Sequence, residues 1–97
     1  MNIKFKDINT GIVQARASIE FAPGVMLNEI TILKKGPNII VELPQKSFKG
    51  KQGKIFYIDI ITFTNENKEN LWKLEVKNEF EKWRKANPKI EVYEYEQ

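Results

Sequence analysis

The side chains best placed to do chemistry in this chain are lysines. Residues 44–54 read PQKSFKGKQGK, with Lys46, Lys49, Lys51 and Lys54, two glycines, Phe48 and no acid. Lysine is a mobile point charge suited to a backbone phosphate, whereas reading a guanine edge favours the planar fork of arginine. Contacts from this stretch should therefore supply affinity more than sequence choice. Phe48 is available to stack on an unpaired base or to anchor the segment to the core. On residues alone, a solvated hairpin connection whose lysines discourage edge-to-edge aggregation is the simpler account.

The absences narrow the field further. The 97 residues include no His and no Cys, which removes most zinc sites, thiol nucleophiles and histidine-assisted hydroxyl nucleophiles. Carboxylate pairs remain, but most acids fall in the C-terminal helix and tail, where a solvated face accounts for them. A metal or catalytic role for Asp59 would need a second carboxylate beside it, so a non-enzymatic protein without cofactor, metal or small-molecule substrate is expected. No apolar run approaches the roughly 20 residues of a membrane span, and MNIKFKD has no secretory apolar core, so a cytoplasmic location is expected.

Charge is uneven along the chain. The formal net charge is +3, but residues 1–54 carry nine Lys/Arg against Asp7, Glu20, Glu29 and Glu42, a balance of +5. Residues 55–97 carry seven against nine, a balance of −2. The positive half culminates in the lysine stretch, which suggests a polyanionic partner.

The elements that must position these lysines read as strands followed by one helix. VQARASIEF puts Val13, Ala15, Ala17, Ile19 and Phe21 on one side, the period of a half-buried strand. VMLNEITIL keeps Met26, Ile30 and Ile32 in phase, and IIVEL (39–43) is closed by Pro44. KIFYIDIITF is apolar on both faces, so a central or doubly covered strand is expected there. IKFKDI reads as a weaker edge strand. Short turns without intervening helices imply an antiparallel meander. The helix follows, capped by Asn65 or Thr64, with Trp72, Val76, Phe80 and Trp83 within a sector of roughly 80°. Beside them Lys73, Lys77 and Arg84 fall within about 40° and form a second basic stripe. Ion pairs such as Lys77 to Glu81 and Glu81 to Lys85 would make that stripe a solvated flank instead.

The expected fold is α+β, with about five antiparallel strands over 1–64 and one long helix at 65–86 packed on or beside the sheet. A tail or extra edge strand follows at 89–97, and the whole is a single domain.

In this order the elements resemble the stage V sporulation protein G (SpoVG) family of small bacterial DNA-binding regulators, over about residues 1–84. ARASIEF is similar to that family's second strand, and LNEITIL with NIIVELP to its strand, turn and strand ending in proline. PQKSFKGKQGKIFYIDI stands where the family carries two adjacent basic residues, a glycine turn and an aromatic. Asp59-Ile60 matches an Asp-Ile pair, and Asn78-Glu79-Phe80 the helix's Asn-Glu-aromatic signature. The resemblance implies a curved sheet, a homodimer joined by strand pairing, and binding to DNA, with RNA also open. By position the family's basic pair falls on Lys46 and Ser47, and basic charge reappears at Lys49, Lys51 and Lys54. With the resemblance added, phosphate contact becomes the preferred role of the stretch. Two other classes stay open: a protein-interaction module using a sheet edge or Leu71 and Leu74, and a carboxylate-metal hydrolase built around Asp59.

Overall fold

The computed structural model describes residues 1–89, the Asn9 side chain excepted. Of the expected tail or edge strand at 89–97, everything beyond Lys89 lies outside the described residues. The fold is α+β. Strands β1 (Asn2–Thr10), β2 (Val13–Ala22), β3 (Val25–Lys35) and β4 (Asn38–Glu42) form an antiparallel meander in the order β1-β2-β3-β4. Strands β5 (Gln45–Lys49) and β6 (Ile55–Asp59) pair only with each other, and helix α1 (Glu66–Ala86) ends the described chain. The expectation of about five strands becomes six, in two sheets. The added strand is β5, inside the lysine stretch expected to be a loop.

Helix α1 begins where Asn65 Oδ1 accepts the Lys68 backbone N–H at 2.9 Å, with Glu66 and Glu69 in the first turn. It ends at Asn87, whose backbone N–H and side-chain amide both donate to the Trp83 carbonyl, at 2.8 and 2.9 Å. Its inner face is the expected stripe: Val76 and Phe80 are buried, and Trp72 and Trp83 pack partly buried against the same core. Beneath it lie Ala15, Ala17 and Ile19 of β2, Ile30 and Ile32 of β3, and Val41 of β4. Small residues at 15 and 17 leave room on β2 for the Val76 and Phe80 side chains, and Phe5 of β1 closes one flank. The Phe5 ring centroid lies 5.6 Å from Phe80, edge-on, and 5.4 Å from Trp83. Each large apolar side chain buried this way contributes about 1.5–3 kcal/mol.

The alternation along β2 and β3 is interrupted by bulges, which correct three sequence expectations. Ala17 pairs with Ile30 but Ile19 pairs with Leu27, so β3 carries one extra residue, and Glu29 within it takes φ 67°. The extra residue flips the phase, so that Leu27 packs toward the core and Met26 is exposed. A second shift between Val13 and Ala15 turns Val13 to the opposite face, where it lines a groove with Arg16 and Leu33. A third, between Glu20 and Ala22, leaves Phe21 exposed.

The largest departure concerns β6. Ile55, Phe56, Tyr57 and Ile58 are all exposed, between 45% and 68%, where double coverage was expected. Every residue of β5 and β6 is exposed. The hairpin leaves the four-stranded sheet at Pro44, and little of the chain folds back over it.

Candidate nucleic-acid interface

The lysine stretch forms the outer strand and tip of the β5–β6 hairpin. Lys46 lies opposite Ile58, Ser47 opposite Tyr57, Phe48 opposite Phe56 and Lys49 opposite Ile55. Lys51 sits in a single 3-10 turn (Lys51–Gly53), and Lys54 immediately precedes β6. The tip is tight: the Gly50 N–H donates to the Lys54 carbonyl at 2.7 Å, and Gln52 and Gly53 both take positive φ. Gly50 is required there, because a Cβ at that position would stand 2.5 Å from the Phe56 ring. Phe56 lies over Gly50 and stacks on Phe48 at 5.3 Å, which gives the hairpin a small apolar patch of its own.

Strand alternation divides the hairpin into two faces. One carries Lys46, Phe48, Phe56 and Ile58, and the other Ser47, Lys49, Ile55 and Tyr57. Among the described residues, none of Lys46, Lys49, Lys51 and Lys54 has an ion-pair partner. Asp59, the acid at the hairpin's base, instead accepts a 2.6 Å hydrogen bond from Gln45 Nε2. The hairpin tip is therefore a raised surface of uncompensated positive charge. No group of three or more His, Cys, Asp or Glu able to hold a metal is found among the described residues.

The helix stripe is less uniform than its spacing implies. Lys73 pairs with Glu69 at 3.3 Å and lines a recess of about 290 Å³ that also contains Glu42 and Asp59, an acidic setting. Lys77 is half-buried and makes no ion pair among the described residues. Lys82 pairs with Glu79 at 3.7 Å, so the intrahelical pairs differ from those expected at Glu81. Arg84 is committed to the fold. Its two terminal nitrogens each donate to Asp7 at 3.2 Å, and it also donates to the Gln14 and Asn87 carbonyls. Its guanidinium lies 4.8 Å from the Trp83 ring centroid and 5.4 Å from that of Phe80. The Arg84 hydrogen bond, followed by its charge and that of Lys89, holds the Asp7 carboxyl below its ordinary value. The structure thus places the four lysines on one hairpin arm, with Lys46 and Lys49 on opposite faces and Lys51 and Lys54 at the tip, and spends Arg84 on joining α1 to β1.

One basic cluster escaped the sequence reading. Lys4 and Lys6 of β1 and Arg16 of β2 lie on the sheet face opposite the helix, where Lys6 is directly across from Arg16. The signal was available as the Lys-x-Lys spacing in IKFKDI, two cations on one side of a strand.

A scan against protein-family models and a search of curated proteins both return no match. No helix among the described residues is long and apolar enough to cross a membrane.

Proposed function

We propose that this protein is a nucleic-acid-binding bacterial regulator of the SpoVG type, cytoplasmic, non-enzymatic and dimeric, with DNA as its main ligand and RNA as a second. The observation that carries the reading is the hairpin, whose four lysines have no carboxylate partner among the described residues and stand on an arm projecting from the folded core. Such charge costs nothing in water and gains most beside a phosphate chain, where each contact releases condensed counterions. Lys46, Lys49, Lys51 and Lys54 neutralise phosphates, Ser47 offers a hydroxyl beside them, and Lys77 is the member of the helix stripe best placed to assist.

The dimer follows from β6. An isolated two-stranded hairpin is marginal in water, and three or more strands with a covered face are needed for stability. Strand β5 guards its own edge with lysines. The outer edge of β6 reads IFYID and pairs with no other strand among the described residues, so it is the edge suited to a second copy. Antiparallel pairing about a two-fold axis through Tyr57 would set Phe56 against Ile58 of the other copy, join the two hairpins into one four-stranded sheet, and place two lysine arms on one assembly.

Replacing the four hairpin lysines by alanine is the direct test. Binding to duplex DNA of arbitrary sequence should weaken, and the slope of log affinity against log salt should fall by about 3.6. A mobility-shift titration giving the wild-type affinity and slope would remove the hairpin from the interface. Binding that resists salt in the wild type would favour a protein-interaction module instead.

A further inference from the structure

The four-stranded sheet has one face under α1 and one that the helix leaves bare. On the bare face Lys4, Lys6 and Arg16 gather on two neighbouring strands: Lys4 lies across from Ser18, and Lys6 across from Arg16. Like charges directly opposite in an antiparallel pair destabilise a sheet, so this placement costs the fold something and relieves nothing within it. Among the described residues only Arg16 of the three has an ion-pair partner, Glu29 at 3.0 Å, and that pair is open to water, with Glu29 72% exposed. Glu29 is held at the β3 bulge with φ 67°, a conformation unfavourable for a residue with a Cβ.

Two grooves meet at this ion pair. One, of about 430 Å³, runs past Lys4, Lys6, Arg16, Ser18 and Asn28. The other, of about 470 Å³, lies between the sheet and the hairpin base, and Arg16, Thr31, Ser47 and Tyr57 line it above an apolar floor that includes Leu33. Arg16 and Glu29 border both. The first groove offers cations and neutral donors, and its one aromatic, Phe5, has its ring engaged with Phe80 and Trp83 on the core side. The second is lined by a 68% exposed tyrosine ring, the Ser47 hydroxyl and the Arg16 guanidinium, with the Glu42 carboxylate on its wall as well as that of Glu29. Phosphates along the first and an unstacked base against Tyr57 in the second is the pairing of charge and aromatic used to hold single strands. A duplex would present its phosphates here but could not lay a base on the tyrosine.

We propose that this bare sheet face, through Lys4, Lys6 and Arg16 with Tyr57 at its end, is a second contact surface that takes a single nucleic-acid strand. The proposal rests on the nucleic-acid reading of the protein and adds to it the bare sheet face, which meets the lysine hairpin at the groove lined by Ser47 and Tyr57. A phosphate entering the track displaces the Glu29 carboxylate from Arg16, so Glu29 acts as a competitor for the ligand's own place.

The test uses the full chain and a labelled oligothymidylate, titrated by fluorescence anisotropy over a salt series, with duplex DNA in parallel. For Lys4→Ala/Lys6→Ala, the single-strand salt slope should fall by about 1.4, with an affinity loss of roughly 20-fold near 0.1 M salt. The same variant should melt no lower than the wild type, since a cross-strand repulsion has been removed. Glu29→Asn, which tolerates the bulge conformation and removes the competing charge, should bind the single strand more tightly. Tyr57→Leu should weaken single-strand binding while leaving the salt slope unchanged. Wild-type binding with an unaltered slope in Lys4→Ala/Lys6→Ala overturns the proposal while leaving the hairpin reading intact. A wild type that binds neither single strand nor duplex overturns the nucleic-acid reading itself.

Discussion

The two sheets of this molecule are built from similarly apolar strands and meet opposite fates. In β1–β4 one face is sealed by α1: Ala15, Ile30, Ile32 and Val76 are fully buried, and Ala17, Ile19 and Phe80 nearly so. In β5–β6 no residue is buried, although Ile55, Phe56, Tyr57 and Ile58 are at least as apolar as the strands beneath the helix. The difference is one of supply. The chain has a single long helix, whose stripe of Trp72, Val76, Phe80 and Trp83 is fully used on the larger sheet. A strand sequence encodes a demand for burial, but it does not say which surface meets it. Among the described residues the demand of the first sheet is met and that of the second is not.

Phe80 and Phe48 give the largest expected contrast. Phe80→Ala should lose about 3–5 kcal/mol at any protein concentration, most of the stability of a small domain. Phe48→Ala strips only the hairpin's own stack on Phe56 and leaves the buried core untouched, so it should cost far less, and chiefly where copies associate through the hairpin. Thermal melts over a wide concentration range distinguish the two. If Phe48→Ala destabilised the protein equally at every concentration, the hairpin would belong to the monomer's own core and the contrast between the sheets would collapse.

The same contrast explains what could be read before any coordinates. The helix was legible because a 3.6-residue period, an Asn cap and a closing Asn-Pro all agree, and local signals decide a helix. The middle of β2 was legible because Ala15, Ala17 and Ile19 keep strict alternation. Val13, Phe21 and Met26 were misplaced because bulges shift the period without leaving a clear mark in composition. Glu29, whose φ of 67° would ordinarily call for glycine or asparagine, gave no warning of the one nearest Met26. Strand β5 was read as a loop because its composition is that of a turn: Gln45–Lys49 has one apolar residue, and pairing with β6 overrides its weak propensity. For Arg84, helical spacing shows a stripe but not a partner 77 positions away, and Asp7 is such a partner. The cations Lys4 and Lys6 looked like the wet side of an edge strand, which they are; only the register with Arg16 makes them a cluster.

A charge placed in β6 should sharpen the comparison next. Ile58→Glu sets a carboxylate across from Lys46, so the hairpin itself loses little and can gain a cross-strand pair. Against a second copy, however, the same carboxylate would be set across from the apolar Phe56 of that copy and would lose part of its hydration. Sedimentation velocity should show a shift from dimer to monomer with an unchanged far-ultraviolet circular dichroism spectrum. A variant that remained dimeric would move the interface away from β6 and leave the bare hairpin unexplained by self-association.

The smallest expected effect belongs to the contact joining α1 to β1, and it separates the two sheets by pH. Asp7 is held below its ordinary value of 3.8, first by the Arg84 hydrogen bond. A carboxyl depressed on folding contributes stability that is fully present above its unfolded value and is lost as pH falls through its lowered folded value. The ion pair is partly open to water, with Asp7 48% exposed, so its contribution is about 0.5–1 kcal/mol. Asp7→Asn should therefore be less stable than the wild type by about that amount near neutrality, and the difference should vanish in acid below the lowered value. Urea titrations followed by tryptophan fluorescence check this, because Trp83 lies directly under the Arg84 guanidinium. A difference that persisted undiminished in acid would assign the stabilisation to Arg84 packing on Trp83 and Phe80 rather than to its charge pair. Nucleic-acid binding by Asp7→Asn at neutral pH should match the wild type. If it rose instead, Arg84 released from Asp7 would be available to phosphate, and the helix stripe would join the hairpin as a working surface.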